Sequence, residues 1–191
     1  MQKLNNIKVI TVSAFLVALG VVAGFFKIPV SNILEIRIIS IPLAPAGALF
    51  GPGIGAIVGM LSDLGGYVLA PTGPYFPGFT LSYGLTGAIF GLILRKGNEP
   101  AISVKRVAAA VIVNTLVVNL LLNSLWLNIL YPGKGFYAVF TARIIKELIM
   151  VPVYIILISA LLRPVVKYLK ERPESVAPPA GNGIGNEGND L

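Results

Sequence analysis

The stretch IISIPLAPAGALFGPGIGAIVGMLSDLGGYVLAPTGPYFPGFTLSYGLTGAIFGLIL, residues 38–94, holds one charged side chain, Asp63, in 57 positions. As continuous helix it would measure roughly 86 Å, close to three crossings of a ~30 Å hydrocarbon core. Its breaks are legible. Gly51-Pro52-Gly53 interrupts it once, because proline removes a helix donor and glycine tolerates turn dihedrals. Pro71-Thr72-Gly73-Pro74-Tyr75-Phe76-Pro77-Gly78 interrupts it again. The expected helices are therefore about 33–50, 54–70 and 80–94, with Glu35 and Arg37 at the membrane interface, where long charged side chains snorkel.

The same pattern extends in both directions. Val9 to Phe26 is an uncharged apolar run between Lys8 and Lys27, long enough to span and followed at once by more apolar sequence, unlike a cleaved signal peptide. After a hydrophilic link from Arg95 to Arg106, apolar runs cover about 107–130 and 137–162, separated by Tyr131-Pro132-Gly133. The chain is 55% hydrophobic and only 12% charged, too few charges to coat a soluble domain. The expectation is an all-α integral membrane protein with six transmembrane helices in one bundle over residues 1–172. Residues 173–191, rich in Gly, Asn and Pro, read as a disordered tail. Six spans put both termini on one side. Ten of the fifteen Lys and Arg fall on that side, which the positive-inside rule makes cytoplasmic.

Composition also excludes chemistry. With no cysteine and no histidine there are no disulfides, thiolate nucleophiles or ordinary zinc sites, and no metal or cofactor is expected. No phosphate-binding G-x-x-x-x-G-K-[ST] motif occurs, and no Ser/His or paired-carboxylate arrangement supports an enzyme. The net charge of +7 is dispersed between apolar runs, which argues for anionic headgroups of the lipid bilayer as its partner and against nucleic acid.

Four features could bind or dock. Asp63 would cost about 2.5–3.5 kcal/mol to insert at a helix centre, so it must face a partner or a cavity, as a structural group or a ligand contact. Arg143 and Glu147, four apart, can pair on one helix face, with Lys146 less able to share that partner. Together with Arg37 these cations sit in the outer half of the bundle and point to an anionic ligand. Phe76, Phe79 and Thr80 lie on a rigid turn, and Trp126 shares its helix with Asn114, Asn119, Asn123 and Asn128, more amides than a lipid-facing helix tolerates. Aromatics there serve either as an interfacial belt or as faces for a flat heteroaromatic ligand. Glycines at 47, 51, 55 and 59, and at 87 and 91, with Ala14 and Ala18, provide close helix approach, within the bundle or against another subunit.

Over roughly residues 8–165 the chain resembles the substrate-binding (S) components of energy-coupling factor vitamin transporters, specifically the folate group. The resemblance is carried by Ile41 to Pro52, by Ser62-Asp63-Leu64, by Phe76-Pro77-Gly78-Phe79-Thr80-Leu81-Ser82, by Asn123-Ser124-Leu125-Trp126-Leu127, by Tyr131 and by Arg143 to Met150. It implies capture of folate at the outer face of a bacterial plasma membrane. It also implies a membrane scaffold subunit and two ABC-type ATPases as partners, ATP being used by those partners only. On this resemblance Ala14 and Ala18 contact the scaffold, and about Ile28 to Ile36 gates the pocket. The residues expected at the ligand are Arg37, Asp63, Phe76, Phe79, Thr80, Asn123, Trp126, Arg143 and Lys146. The same fold serving riboflavin or pantothenate, or an autonomous facilitator, are the alternatives.

Overall fold

The computed structural model describes residues 7–29, 35–71, 74–97, 99–130 and 136–171. Helix α1 (Ile7–Phe25) leads into two short antiparallel strands, β1 (Lys27–Pro29) and β2 (Glu35–Arg37), with Ile28 opposite Ile36. Helices α2 (Ser40–Phe50), α3 (Pro52–Leu69) and α4 (Pro77–Leu94) follow. A two-residue pairing of β3 (Arg95–Lys96) with β4 (Glu99–Pro100) then turns the chain into α5 (Val104–Asn114). That helix continues as a π-helical segment (Thr115–Leu122) and as α6 (Asn123–Leu130). Helix α7 (Phe136–Glu171) closes the bundle.

The second helix differs from expectation: it starts at Ser40, and Glu35–Arg37 is a strand instead of its first turn. Pro42 falls in the opening turn of α2, where its missing N–H costs no intrahelical bond, and Pro45 is accommodated further along. The preceding residues satisfy their backbone groups by pairing with Lys27–Pro29. At the other end of α2, Gly51 adopts φ 90°, a conformation only glycine takes comfortably, and Pro52 opens α3. The fifth span is a single 27-residue stretch, Val104–Leu130, and α7 runs for 36 residues, about 54 Å, beyond the thickness of the hydrocarbon core.

Helix α2 is the axis of the bundle. Leu43, Ala44 and Ala48 join Phe90, Leu94, Val107, Ala110, Val111, Met150, Tyr154, Ile158 and Leu162 in one apolar cluster. Ala46, on its other side, packs with Val9, Leu16, Ile54 and Val58 in a second. Small side chains make this possible. A β-carbon at Gly47 would lie 2.5 Å from the Gly91 nitrogen, and one at Gly91 would lie 2.5 Å from Pro52 Cα. The glycine spacing therefore serves approach among α2, α3 and α4 inside the bundle and does not form a face for another subunit.

Among the described residues four helices are long and apolar enough to cross a membrane: Pro52–Leu69, Pro77–Leu94, Val104–Leu130 and Arg143–Val165. Val9–Phe25 and Ser40–Phe50 are shorter apolar helices. Large apolar side chains such as Val68, Leu92, Leu148 and Ile156 face outward, two-thirds or more exposed, as a lipid-facing surface requires. At the end of the bundle where α2 meets α3, Arg95 donates to the Leu49 carbonyl (2.7 Å), and Arg106 reaches the Ile93 carbonyl (3.4 Å). These bonds satisfy carbonyls that the ends of α2 and α4 leave without an intrahelical donor.

Candidate functional site

Helix α4 is the wall on which the site is built. Its N-terminal turn begins with Phe76 in extended conformation and Pro77 at the first helical position. Thr80 turns toward α3, where its hydroxyl donates to Asp63 Oδ2 at 2.6 Å. Tyr75 adds its hydroxyl to Thr80 Oγ1 at 3.0 Å, and the Tyr67 ring lies 5.1 Å from the Tyr75 ring. Asp63 is thus held by a short charge-assisted bond in the middle of a hydroxyl network, which offsets much of the cost of a carboxylate at membrane depth.

Ser82, two residues further on, turns the other way and accepts from Trp126 Nε1 of α6 at 3.1 Å. Trp126 is 5.5 Å from the Phe76 ring, and Phe76 meets Phe79 edge-on at 5.9 Å. Gly78 makes the stacking sterically feasible. A β-carbon there would lie 2.7 Å from Trp126 Cδ2, so any larger residue would push the indole away. The aromatics expected to face a flat ligand do come together, at the mouth between α4 and α6.

The third group spans the π-helical segment and α7. In the π register the Asn123 N–H bonds the Val118 carbonyl, five residues back, so the Asn119 carbonyl loses its usual donor. Arg143 Nη1 takes that place at 2.9 Å. Asn119 Nδ2 donates to Glu147 Oε2 at 3.1 Å, and Lys146 Nζ lies 2.8 Å from Oε1, an ion pair off the line of a hydrogen bond. Against expectation Lys146, the sequence neighbour, does share Glu147, because its long flexible stem can curl around the helix. Arg143 also reaches across to the carbonyl that the π turn exposes. Glu147 is 2% exposed and Arg143 9%, so both side chains are buried.

The remaining expected residues are distributed as follows. Asn123 has a buried Oδ1 with no hydrogen-bond partner. Asn114 is buried, while Asn119 and Asn128 are half-buried, so none of the four amides of this span faces lipid fully. Ala14 and Ala18 are exposed on the side of α1 opposite Leu16 and Gly20, which pack into the bundle. The side chain of Arg37, together with Tyr131, residues 30–34 of the expected gate and the tail from residue 172, lies outside the described residues. Tyr67 and Ser82 were not singled out from the sequence. Tyr67 could have been, since it follows Asp63 by four residues and shares its helix face. Ser82 becomes visible only through the indole that needs an acceptor.

Among the described residues no cluster of metal-ligating side chains occurs. The described residues thus gather a hydrogen-bonded carboxylate on α3, an aromatic stack between α4 and α6, and a buried arginine with amides across the fifth span and α7.

Residues 8–162 match the family of ECF transporter substrate-specific components. The folate transporter FolT of Clostridium novyi (strain NT) is 39% identical over 155 residues, covering 81% of this chain and 88% of that protein. A crystal structure of FolT bound with folic acid superposes with a TM-score of 0.73 at 33% identity, covering 82% of this chain and 93% of that one. The S component of another bacterial ECF transporter matches at a TM-score of 0.61 and 26% identity, over 85% and 98% of the two chains.

Proposed function

We propose a folate-capturing role for this chain on one premise: it belongs to the substrate-specific components of ECF transporters. It is therefore a transport protein and not an enzyme, and its apolar helices make it a multi-pass membrane protein. Folate is favoured over other vitamins by one observation, the match to FolT proteins across nearly the whole bundle, including one bound with folic acid. The protein sits in the bacterial plasma membrane and delivers folate to a membrane scaffold subunit driven by two ABC-type ATPases. ATP is used by those partners, and the chain needs no cofactor of its own.

The site chemistry fits this ligand. A pterin offers an amide and amino edge that a carboxylate can accept from, and Asp63 is the carboxylate of helices α2 to α4. Phe76, Phe79 and Trp126 supply faces for its rings, and Thr80 orients Asp63. The glutamate tail carries two carboxylates, for which Arg37, Arg143 and Lys146 are the outer cations, while Asn123 contributes a polar contact between the two ends. Ala14 and Ala18, exposed on α1, are the contact to the scaffold.

Calorimetric titration of the purified protein with folate, riboflavin and pantothenate tests the reading. Folate alone should bind. Tight binding of either other vitamin with none of folate would overturn it.

A further inference from the structure

The two longest apolar spans end in cations that the folate site does not use. Lys105 is the second residue of Val104–Leu130, and Arg163 stands two residues before the end of Arg143–Val165, so both sit at headgroup depth. Both are exposed, and among the described side chains neither has an ion-pair partner. Their neighbours at this end are engaged. Arg95 donates to the Leu49 and Gly97 carbonyls, Arg106 to the Ile93 carbonyl, and Lys96 stands opposite Glu99 in the β3–β4 ladder. Lys167, one turn beyond Arg163 and also exposed, adds a third charge.

Lys105 and Arg163 lie near one level on neighbouring helices. Val107, Ala110 and Val111 share a core with Ile158 and Leu162, so α5 packs beside α7. Arg143 and Glu147 both reach Asn119, which sets the antiparallel register. Lys105, fourteen residues before Asn119, is then level with about residue 159, and Arg163 follows roughly one turn further. Each cation also heads an outward stripe. Lys105, Ala109 and Ile112 are all exposed at helical spacing, and so are Lys167, Arg163, Ala160 and Ile156. The charges are therefore continuous with apolar surface that must face hydrocarbon, and the alanines just beneath them leave room for a chain. An acidic protein surface could meet the charges but not the apolar strip, whereas an amphipathic anion meets both.

We propose that Lys105, Arg163 and Lys167 form a binding site for one anionic phospholipid. Its phosphate sits among the three charges, and its acyl chains run along Ala109, Ile112, Ala160 and Ile156. Basic clusters between spanning helices recognise anionic headgroups in this way. The site is separate from the residues assigned to folate, so its failure would leave folate capture intact.

Native mass spectrometry of the purified full-length protein, with phosphatidylglycerol and phosphatidylcholine of matched acyl chains, tests the site. The wild type should retain one phosphatidylglycerol about tenfold more tightly than phosphatidylcholine, and the ratio should fall as salt is raised. K105Q/R163Q should lose most of that preference. Lys96→Gln, which removes an exposed cation at the same end but off the site, should keep it. Each single variant, Lys105→Gln and Arg163→Gln, should lower the preference severalfold, which preserves the test if the double variant does not fold. Equal retention of both lipids by the wild type would overturn the proposal. An equal loss in Lys96→Gln would replace a site with diffuse charge and overturn it too. Unchanged lipid preference in K105Q/R163Q, with assembly onto the ATPases impaired, would assign the surface to an acidic protein instead.

Discussion

Asp63 has a structural partner as well as the ligand role proposed for it. Its Oδ2 is engaged by Thr80, which explains how the carboxylate is tolerated at depth and also fixes the direction it faces. Asp63→Asn preserves an acceptor for Thr80, so the bundle should remain folded while the charge-assisted contact to a pterin is lost. Affinity for folate and for a bare pterin should fall alike, since both carry the same edge. Removing Arg143 or Lys146 singly should weaken folate more than the bare pterin, which lacks the glutamate. Each loss is worth about 1.5–3 kcal/mol, roughly ten- to a hundredfold in affinity. Titration of both ligands against the three variants reads this directly. Full affinity of folded Asp63→Asn for both ligands would make Asp63 purely structural and the proposed map wrong.

At the scale of elements, small residues do two different jobs according to the face they occupy. Gly47, Gly55, Gly87 and Gly91 meet backbone across α2, α3 and α4, so a side chain there has no room. Gly47→Val should lower the melting temperature of the detergent-solubilised protein sharply or prevent folding. Gly53→Ala, in open space on α3, should be neutral or slightly stabilising, as alanine is the better helix former. A harmless Gly47→Val would show that the bundle is looser than its packing implies. Ala14 and Ala18, by contrast, face away from the bundle. Ala18→Trp should leave folate binding by the isolated protein unchanged and reduce uptake by the assembled transporter, because bulk blocks close helix approach. A parallel loss of binding would place the pair in the bundle's own stability. Sequence spacing identified both sets but could not assign their faces, since the Pro52 break resets the helical phase. Nor could it show the π-helical segment, whose residues have ordinary helical propensities. That segment is what offers Arg143 the Asn119 carbonyl, so the buried polar network was legible in its members and not in the contact of Arg143 with the fifth span.

For the whole molecule, the long run with Asp63 as its one charge and its Gly-Pro breaks was enough to read a helical membrane bundle, because hydropathy and breaker residues act locally. The start of α2 was not legible, because strand pairing with Lys27–Pro29 is a contact between separated segments. The distribution of charge adds a prediction about orientation. Lys8, Arg95, Lys96, Lys105, Arg106, Arg163, Lys167 and Lys170 all fall toward the end of the bundle that carries the β3–β4 turn. The aromatic mouth of the site, at the start of α4, lies at the other end. Cytoplasmic retention of Lys and Arg therefore orients the mouth outward, toward an external vitamin. The chain has no native cysteine, so single cysteines report without background. Both test positions are exposed: Lys96 in the β3–β4 turn and Pro74 just before the mouth. A membrane-impermeant thiol reagent applied to intact cells should label Pro74→Cys and spare Lys96→Cys, and permeabilisation should make the second reactive. The reverse pattern would turn the site toward the cytoplasm, where it could not capture an external ligand, and would refute uptake as the direction of transport.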